Sequence, residues 1–341
     1  MSRLTKLRLQ TTVLTAAASY LSLFSSTQIP ATAAAMSTAA SNKIIDSHLH
    51  VWASTDEAKS RFPYAEGQEP PESLRNLASV SELLKRMDAT GVDGALIVQP
   101  INHKFDHSYV ADAMKNHPTR FKGMLLHDPS LAVDAAVSRL ENFALQGFVG
   151  VRFNPYLWPK LENDTLTKMS TAGGAGIAVY ERCAELKMPV GVMCFQGLPL
   201  HYEDILELIQ ASPETVLILD HFGFTGLDNE DAFQQLLDLA KYPNVIVKIS
   251  ALFRLKDESP YEKVHKERLN PLLKAFGSGR LMFGTDFPFV LEQAESYDGM
   301  VQLTSSWLTN DKDRSAVMGG TAERIFGPWG SPTMIPFEDD L

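Results

Sequence analysis

The sequence has little cysteine and lacks any apolar stretch long enough to cross a membrane. Its 341 residues include two cysteines, Cys183 and Cys194, whose number and spacing suit neither a disulfide framework nor a zinc cluster. We expect both to be small buried side chains in a reduced compartment. Because no apolar run approaches the ~20 residues of a membrane helix, membrane insertion is not expected.

Excess positive charge and nucleotide-binding glycine motifs are also missing. The formal net charge is −10 at pH 7, which argues against a general role in binding nucleic acid or membrane surfaces. No G-x-G-x-x-G follows the first predicted strand and no G-x-x-x-x-G-K-[ST] occurs, so dinucleotide and P-loop sites lose their main support. The expected partner is therefore a small-molecule substrate, and the oligomeric state is left open.

The first 42 residues differ in composition from the rest of the chain. They contain Arg3, Lys6 and Arg8, no acidic residue, and many Ser, Thr and Ala residues. This composition predicts a disordered targeting leader over 1–42, best interpreted as a chloroplast or mitochondrial transit peptide, with a secretory signal as the alternative. Translation from Met36 would instead yield a cytoplasmic form. Residues 43–330 are predicted to form one domain, followed by a C-terminal tail over 331–341.

Within 43–330, short apolar runs alternate with helical patterns. Eight strands are predicted, over Lys43–Ser47, Ala95–Gln99, Phe121–Leu126, Phe148–Phe153, Val190–Phe195, Val216–Leu219, Val245–Ile249 and Arg280–Phe283. Several of these runs, such as VIVKI, are apolar throughout, as in parallel sheets that are buried on both faces. Repeated βα units in a chain of this length favour an α/β fold of the (β/α)8 TIM-barrel type over a doubly wound sheet.

Polar residues cluster where the predicted strands end, and this is the face on which barrel enzymes carry their active sites. The first strand leads into His48 and His50. Alternate residues of an extended chain point to the same side, so both imidazoles can meet one metal ion or one carbonyl group. His221 follows the sixth strand and Asp286 the eighth. A carboxylate there can act as a general base, a metal ligand or both.

Other strand ends supply weaker candidates for substrate binding: Gln99, Arg152, Asn154, Gln196 and Ser250. A guanidinium such as that of Arg152 offers a planar donor pair to a substrate carboxylate, but it can equally close a structural salt bridge. Lys248 shares a strand face with Ser250, and a polar network inside the barrel is the favoured interpretation of this lysine.

The motifs DSHLHVW, GVRFNP, LDHFG, KIS and FGTDFP occur in this order between Lys43 and Phe326. Together they resemble the amidohydrolase superfamily, whose barrel is of the metal-dependent-hydrolase type. More narrowly, they resemble the amidohydrolase-related group of 2-pyrone-4,6-dicarboxylate hydrolases, other lactonases and ACMS-decarboxylase-type enzymes. The resemblance implies that His48, His50 and His221 hold and polarise a substrate carbonyl. It also implies that Asp286 activates water, and that Arg152 meets a substrate carboxylate.

The sequence departs from the metal-dependent relatives at the end of the fifth strand. Many of them carry a further ligand there, usually histidine, whereas this chain has VMCFQ, and Gln196 is a poor zinc ligand. Two versions of the site therefore stay open on equal terms. In one, a divalent ion (Zn or Mn) is held by His48, His50 and Asp286, with His221 as an additional ligand. In the other, the histidines polarise the carbonyl without a metal.

The expected function is hydrolysis of a small carboxylate-bearing lactone or related cyclic ester. One alternative is a lyase, a metal-dependent non-oxidative decarboxylase of a small unsaturated acid, which would use the same barrel with a firmly bound metal. The other is a barrel that has lost catalysis and serves in binding.

Overall fold

The computed structural model describes residues 43–171 and 174–330. Within them, eight parallel strands form one sheet in the order β1 to β8. The strands are β1 (Ile45–Leu49), β2 (Gly94–Val98), β3 (Phe121–Leu126), β4 (Phe148–Phe153), β5 (Val190–Val192), β6 (Leu217–Leu219), β7 (Val245–Ile249) and β8 (Leu281–Phe283). The predicted leader over 1–42 and tail over 331–341 lie outside the described residues, so both remain predictions.

The sheet closes through the segment that follows β8. The Asp286 backbone N–H donates to the His48 carbonyl over 2.9 Å, and the His50 N–H donates to the Phe287 carbonyl over 2.7 Å. Leu49 and Phe287 form an isolated parallel bridge between these hydrogen bonds. The predicted (β/α)8 barrel is thus confirmed, and its closure brings the ends of β1 and β8 side by side.

The helices follow the strands around the outside of the sheet. They are α1 (Thr55–Ser60), α2 (Val80–Thr90), α3 (Ser108–Asn116), α4 (Val133–Leu145), α5 (Gly176–Leu186), α6 (Tyr202–Ala211), α7 (Glu230–Asp238), α8 (Glu262–Val264), α9 (Asn270–Phe276), α10 (Ser296–Trp307), α11 (Asp311–Ser315) and α12 (Thr321–Phe326). Among the residues in the described ranges, no helix is both long enough and apolar enough to span a membrane.

Helix α2 shows how the local sequence produces these elements. The Ser79 side chain accepts a hydrogen bond from the Glu82 N–H at the start of the helix, and Gly91 ends it with φ of 70°. A serine N-cap and a left-handed glycine satisfy backbone groups that the helix itself leaves unpaired. Leu83 and Met87, four residues apart, form the buried face. The helical spacing of apolar residues therefore docks α2 onto the sheet.

Inward-facing residues fill the barrel in layers. Ile218 and Ile246 belong to an apolar cluster that also contains Trp329, from the segment after α12. Two residues further along the chain, and on the same side, come Asp220, directly after β6, and Lys248, within β7, both buried. Because the side chains of a strand alternate, apolar packing closes one end of the barrel and leaves a polar layer near the carboxyl end.

Short 3-10 turns lie in the segments that follow the later strands: Pro155–Leu157 after β4, Leu198–Leu200 after β5, Leu252–Arg254 after β7 and Phe289–Glu292 after β8. The turn over His221–Phe224 after β6 has left-handed φ values at all four residues. Strand β5 ends at Val192, earlier than its apolar run suggests, and β1 extends to Leu49. His48 therefore lies within β1 and His50 directly after it.

Candidate active site

The two histidines of the first strand are held by different partners. His50 Nδ1 lies 2.9 Å from the Val98 carbonyl oxygen. A carbonyl only accepts hydrogen bonds, so Nδ1 carries the proton and Nε2 presents a lone pair. His48 Nδ1 lies 3.1 Å from Asp220 Oδ1 and 3.0 Å from Lys248 Nζ. Its Nε2 is buried and has no hydrogen-bond partner among the described residues, which leaves that nitrogen available to a ligand.

His221 is brought to the same place by an unusual backbone conformation after β6. Its φ is 51°, in the left-handed region that non-glycine residues seldom adopt. Its Nδ1 lies 2.8 Å from Ser250 Oγ, which follows β7. The imidazole rings of His221 and His48 have centroids 4.3 Å apart. Ser250 therefore positions His221 from beneath.

Asp286 lies at the centre of the three imidazoles. Its Oδ1 is 3.6 Å from His50 Nε2, 3.8 Å from His221 Nε2 and 3.9 Å from His48 Nε2. Asp286 also has a positive φ, of 61°. The structure thus brings together all four residues for which the sequence predicts catalytic and metal-binding roles.

The second oxygen of Asp286 is engaged by an arginine. Arg254 Nε lies 3.0 Å and Nη2 2.9 Å from Asp286 Oδ2. Such a charge-assisted pair fixes the orientation of the carboxylate. Because the guanidinium binds Oδ2, Oδ1 is the oxygen that faces the imidazoles.

Burial shifts the acidity of these groups. It lowers the pKa of His50 to about 3 and holds the pKa values of His48 and His221 well below their usual range. Burial also raises the pKa of Asp286 to about 6, against the opposing effect of the Arg254 guanidinium. The imidazoles are therefore neutral at neutral pH, while Asp286 is mostly ionised and unusually basic for a carboxylate.

A buried ion-pair network lies beneath the histidines. Arg152 Nε donates to Asp220 Oδ2 over 2.9 Å, and Lys248 Nζ lies 3.2 Å from Asp220 Oδ1. Burial raises the pKa of Asp220, but the Lys248 and Arg152 cations and the hydrogen bond with His48 outweigh this effect and hold the pKa well below its usual range. Asp220 is therefore ionised and shared between two cations. We infer that it orients His48 and holds Arg152 in place.

A cavity of about 290 Å³ opens above these residues. His50, His221, Asp286, Arg152 and Arg254 form its polar floor. The walls are Trp52, Pro100, Ile101, Asn102, Asn154, Tyr156, Leu157, Met193, Phe195 and Phe289. They come from the segments that follow β1, β2, β4, β5 and β8. The site is thus built at the carboxyl ends of the strands, as in other barrel enzymes.

The predicted substrate-binding residues are placed differently from one another. Arg152 and Asn154 line the cavity, and Ser250 supports His221. Gln99 does not line it, because its amide donates to the Lys104 and Asp106 carbonyls over 3.0 and 2.7 Å. Gln196 is exposed and borders a neighbouring depression beside His201. Neither Gln99 nor Gln196 is among the residues that line this cavity, so a role for them in substrate binding stays a prediction.

Sequence reasoning missed two charged residues of the site. Arg254 follows β7 in the run ALFR, where no spacing rule marks it, and the turn after β7 directs it to Asp286. Asp220 directly precedes His221 in LDHFG, and its side chain pairs with His48 rather than with its neighbour. Its charge at a strand end, next to a candidate histidine, was the available signal.

The donor set suits a divalent metal ion. His48, His50 and Asp286 each offer one ligand atom, and these atoms all lie within 4.8 Å of one another. His50 Nε2 presents a lone pair and His48 Nε2 has no partner among the described side chains. Neutral imidazoles and a carboxylate are the ligands that zinc and related ions prefer. The residues that are present therefore fit the metal-bound version of the site.

Comparison with known proteins identifies the family. The sequence model of the family described as Amidohydrolase matches residues 45–327. The chain belongs to this family. This amidohydrolase is also 26% identical, over 297 residues, to 4-sulfomuconolactone hydrolase from Hydrogenophaga intermedia, which covers 83% of this chain and 88% of the relative. The family and the hydrolase class predicted from the motifs are thus confirmed.

Solved structures confirm the barrel. A probable 2-pyrone-4,6-dicarboxylic acid hydrolase from Acinetobacter baumannii, with citric acid bound, has a TM-score of 0.66 at 19% identity, covering 84% of this amidohydrolase and 99% of that chain. An amidohydrolase from Burkholderia multivorans with bound zinc has a TM-score of 0.65 at 22% identity, with coverage of 84% and 99%. At these identities the likeness establishes the shared fold.

Proposed function

We propose that this amidohydrolase opens a small lactone by adding water to its carbonyl group. The observation that carries the proposal is the placement of Asp286 Oδ1, which faces three imidazole Nε2 atoms at distances of 3.6 to 3.9 Å on the floor of a cavity. The relative that hydrolyses 4-sulfomuconolactone supports the same reaction class.

Asp286 would act as the general base. Its Oδ1 takes a proton from water while the water oxygen forms a bond with the carbonyl carbon of the lactone. The carbonyl becomes a tetrahedral oxyanion, which then collapses and breaks the ring C–O bond. The departing alkoxide recovers the proton from Asp286, so the product is an open hydroxy acid and the base is regenerated. A carboxylate whose pKa is about 6 suits both proton transfers near neutral pH.

The histidines have distinct capacities in this reaction. Because His50 Nδ1 donates to the Val98 carbonyl, its Nε2 accepts and cannot polarise a carbonyl by donating a proton. His221 Nδ1 lies against a hydroxyl group, which can donate or accept, so its Nε2 can carry an N–H toward a developing oxyanion. His48 has the same freedom between Lys248 and Asp220. His221, which lines the cavity, is thus the foremost candidate oxyanion donor, whereas His48 is fully buried and is not among the lining residues.

A divalent ion, Zn or Mn, would be held by His48, His50 and Asp286, with His221 as a possible further contact. When bound, such an ion supplies Lewis-acid polarisation of a carbonyl and lowers the pKa of water. The residues also accommodate the metal-free version, since His48 and His221 can present N–H groups of their own.

The test measures the turnover of a panel of lactones by the wild-type protein and by Asp286→Asn. Turnover is monitored as acid release with a pH indicator in weakly buffered solution. Asp286→Asn keeps the size of the side chain but cannot accept the proton, so we expect a loss of kcat of at least about 100-fold with an unchanged circular dichroism spectrum. Asp134→Asn, at an exposed position on α4, is the matched control and should retain full activity. Turnover by Asp286→Asn at the wild-type rate would refute the assignment.

A further inference from the structure

The residues that form the walls of the cavity indicate which substituents the substrate carries, whereas the floor residues indicate only the reaction. Their apolar members come from five separate segments of the chain: Trp52, Ile101, Leu157, Met193, Phe195 and Phe289. Phe195 and Ile101 stand at the rim with 52% and 39% of their surface exposed. Large apolar groups left in water beside a cavity mark a surface that gains by contact with an apolar ligand.

Polar wall groups are mostly engaged already by the protein. The Asn102 amide donates to the Gln68 carbonyl over 2.8 Å. The Tyr156 hydroxyl lies 2.6 Å from His201 Nε2 and accepts a hydrogen bond from the Gln196 N–H over 2.9 Å. A ligand with many hydroxyl groups would therefore find few unengaged partners along the walls, and burying a hydroxyl group without a partner is costly.

Cations at the cavity are also few. Among its described lining residues, the cations are Arg152 and Arg254, and each already contacts a carboxylate. Arg152 is bound to Asp220 and to Met193 Sδ, and its side chain is only 3% exposed. The Arg254 side chain is 25% exposed, and its guanidinium lies 5.3 Å from the centre of the Phe289 ring. One guanidinium, that of Arg254, thus offers surface to an anionic substituent.

From these observations we propose that the substrate is a lactone with an apolar body, without multiple hydroxyl groups, and with no more than one carboxylate. This inference rests on the proposed lactone hydrolysis and narrows it. In the metal-free site, two anionic groups would compete for the one guanidinium that the described lining exposes, that of Arg254. The relative named for a sulfonated lactone and the structural neighbour named for a dicarboxylate are thus expected to differ from this chain in substrate.

The experiment compares four six-membered lactones that differ in their substituents: δ-valerolactone, δ-nonalactone, glucono-δ-lactone and 2-pyrone-4,6-dicarboxylate. Each buried methylene should raise kcat/KM about fourfold. If two or three tail carbons of δ-nonalactone leave water, it should exceed δ-valerolactone by about 10- to 100-fold. The polyhydroxylated and dicarboxylated lactones should be turned over more slowly than δ-valerolactone.

A rim variant tests where the selectivity arises. Phe195→Ala should reduce the preference for δ-nonalactone over δ-valerolactone by about fourfold or more, because it removes apolar contact surface. Leu145→Ala is the matched control, since Leu145 is an exposed apolar residue (73%) on α4, outside the cavity lining. Its selectivity should equal that of the wild type. An unchanged preference in Phe195→Ala would overturn the assignment of the apolar wall.

Binding to Asp286→Asn separates affinity from turnover. Isothermal titration calorimetry with this variant should show tighter binding of δ-nonalactone than of 2-pyrone-4,6-dicarboxylate. If the dicarboxylate is bound more tightly and hydrolysed faster while Asp286→Asn is inactive, the substrate inference fails and the proposed function stands. If no lactone is hydrolysed, or if Asp286→Asn is fully active, the proposed function fails and the inference fails with it.

Discussion

Replacing Asp220 with asparagine should strongly destabilise this barrel with almost no change in side-chain shape. Its side chain is 1% exposed and its carboxylate lies 2.9 Å from Arg152 and 3.2 Å from Lys248. Asp220→Asn preserves the size of the side chain but leaves two buried cations without their anion. Breaking a buried ion pair by removing one partner costs about 3–5 kcal/mol. With two cations affected, we expect a loss near the upper end of that range.

The measurement is the free energy of unfolding from guanidinium chloride titration, followed by circular dichroism. Asp112→Asn serves as the control, because its partner Arg61 is 67% exposed and an exposed pair contributes only about 0–1 kcal/mol. The double variant Asp220→Asn with Lys248→Met should recover part of the loss, since one unpaired cation has then been removed. A recovery of about 1 kcal/mol or more in the free energy of unfolding would show that Asp220 and Lys248 are energetically coupled.

The pH dependence provides an internal check. Because the pKa of Asp220 is held well below its usual range, the folded carboxylate stays ionised in mild acid. The stabilisation is present above the unfolded pKa and is lost only as the pH falls through the lower folded value. The difference between wild type and Asp220→Asn should therefore be constant between about pH 5 and 7. A loss no larger than that of Asp112→Asn, or no recovery in the double variant, would refute this account of the polar layer.

Further predictions concern the site and the closure of the barrel. In the metal-free protein, kcat/KM should decrease as the pH is lowered below about 6. Burial raises the pKa of Asp286 to about 6, and protonation of this carboxylate removes the base. A decrease that begins only near pH 4 would contradict this. Arg254→Met should raise the pKa of Asp286 further and move the acidic decrease in kcat/KM to higher pH, since the guanidinium favours the ionised carboxylate. An unchanged pH–rate profile would show that the Arg254–Asp286 pair does not control this pKa. His50→Ala should lower the affinity for zinc by at least about 10-fold, because a ligand is lost. Metal analysis and a competition titration measure this change. Unchanged zinc binding would exclude His50 as a ligand. Gly284→Ala should lower the free energy of unfolding by about 1–3 kcal/mol, since a Cβ at this position would lie 2.9 Å from the His48 backbone nitrogen. Gly279→Ala is the control, because its Cβ would meet nothing within 4 Å. Equal thermal midpoints for the two variants would refute this prediction.

The resemblance of the motifs and the alternation of strands and helices predict the barrel, because each strand is an apolar run long enough to be recognised locally. The boundaries are less predictable. The apolar run VGVMCF extends past the end of β5, where Cys194 is buried and Met193 is partly exposed at the cavity. Helix α9 begins next to Pro271, directly after a π-helical turn over His265–Leu269, which a 3.6-residue period does not indicate.

The candidate site divides in the same way. His48, His50, His221 and Asp286 could be selected from the sequence because each stands at the end of a recognisable strand. Arg254 could not, since only the 3-10 turn after β7 directs its guanidinium to Asp286 Oδ2. Gln99 and Gln196 also stand near strand ends, but local loop contacts and exposure keep them out of the cavity lining.

What the linear chain determined by itself is the barrel and the four side chains at its carboxyl face, because strand periodicity and chemical type are local properties. The tertiary structure alone decided which atoms meet: Asp220 with His48 and two buried cations, Oδ1 of Asp286 with three imidazoles, and an apolar wall assembled from five distant segments. Those contacts join residues far apart in sequence, and their distances and burial exist only once the sheet has closed.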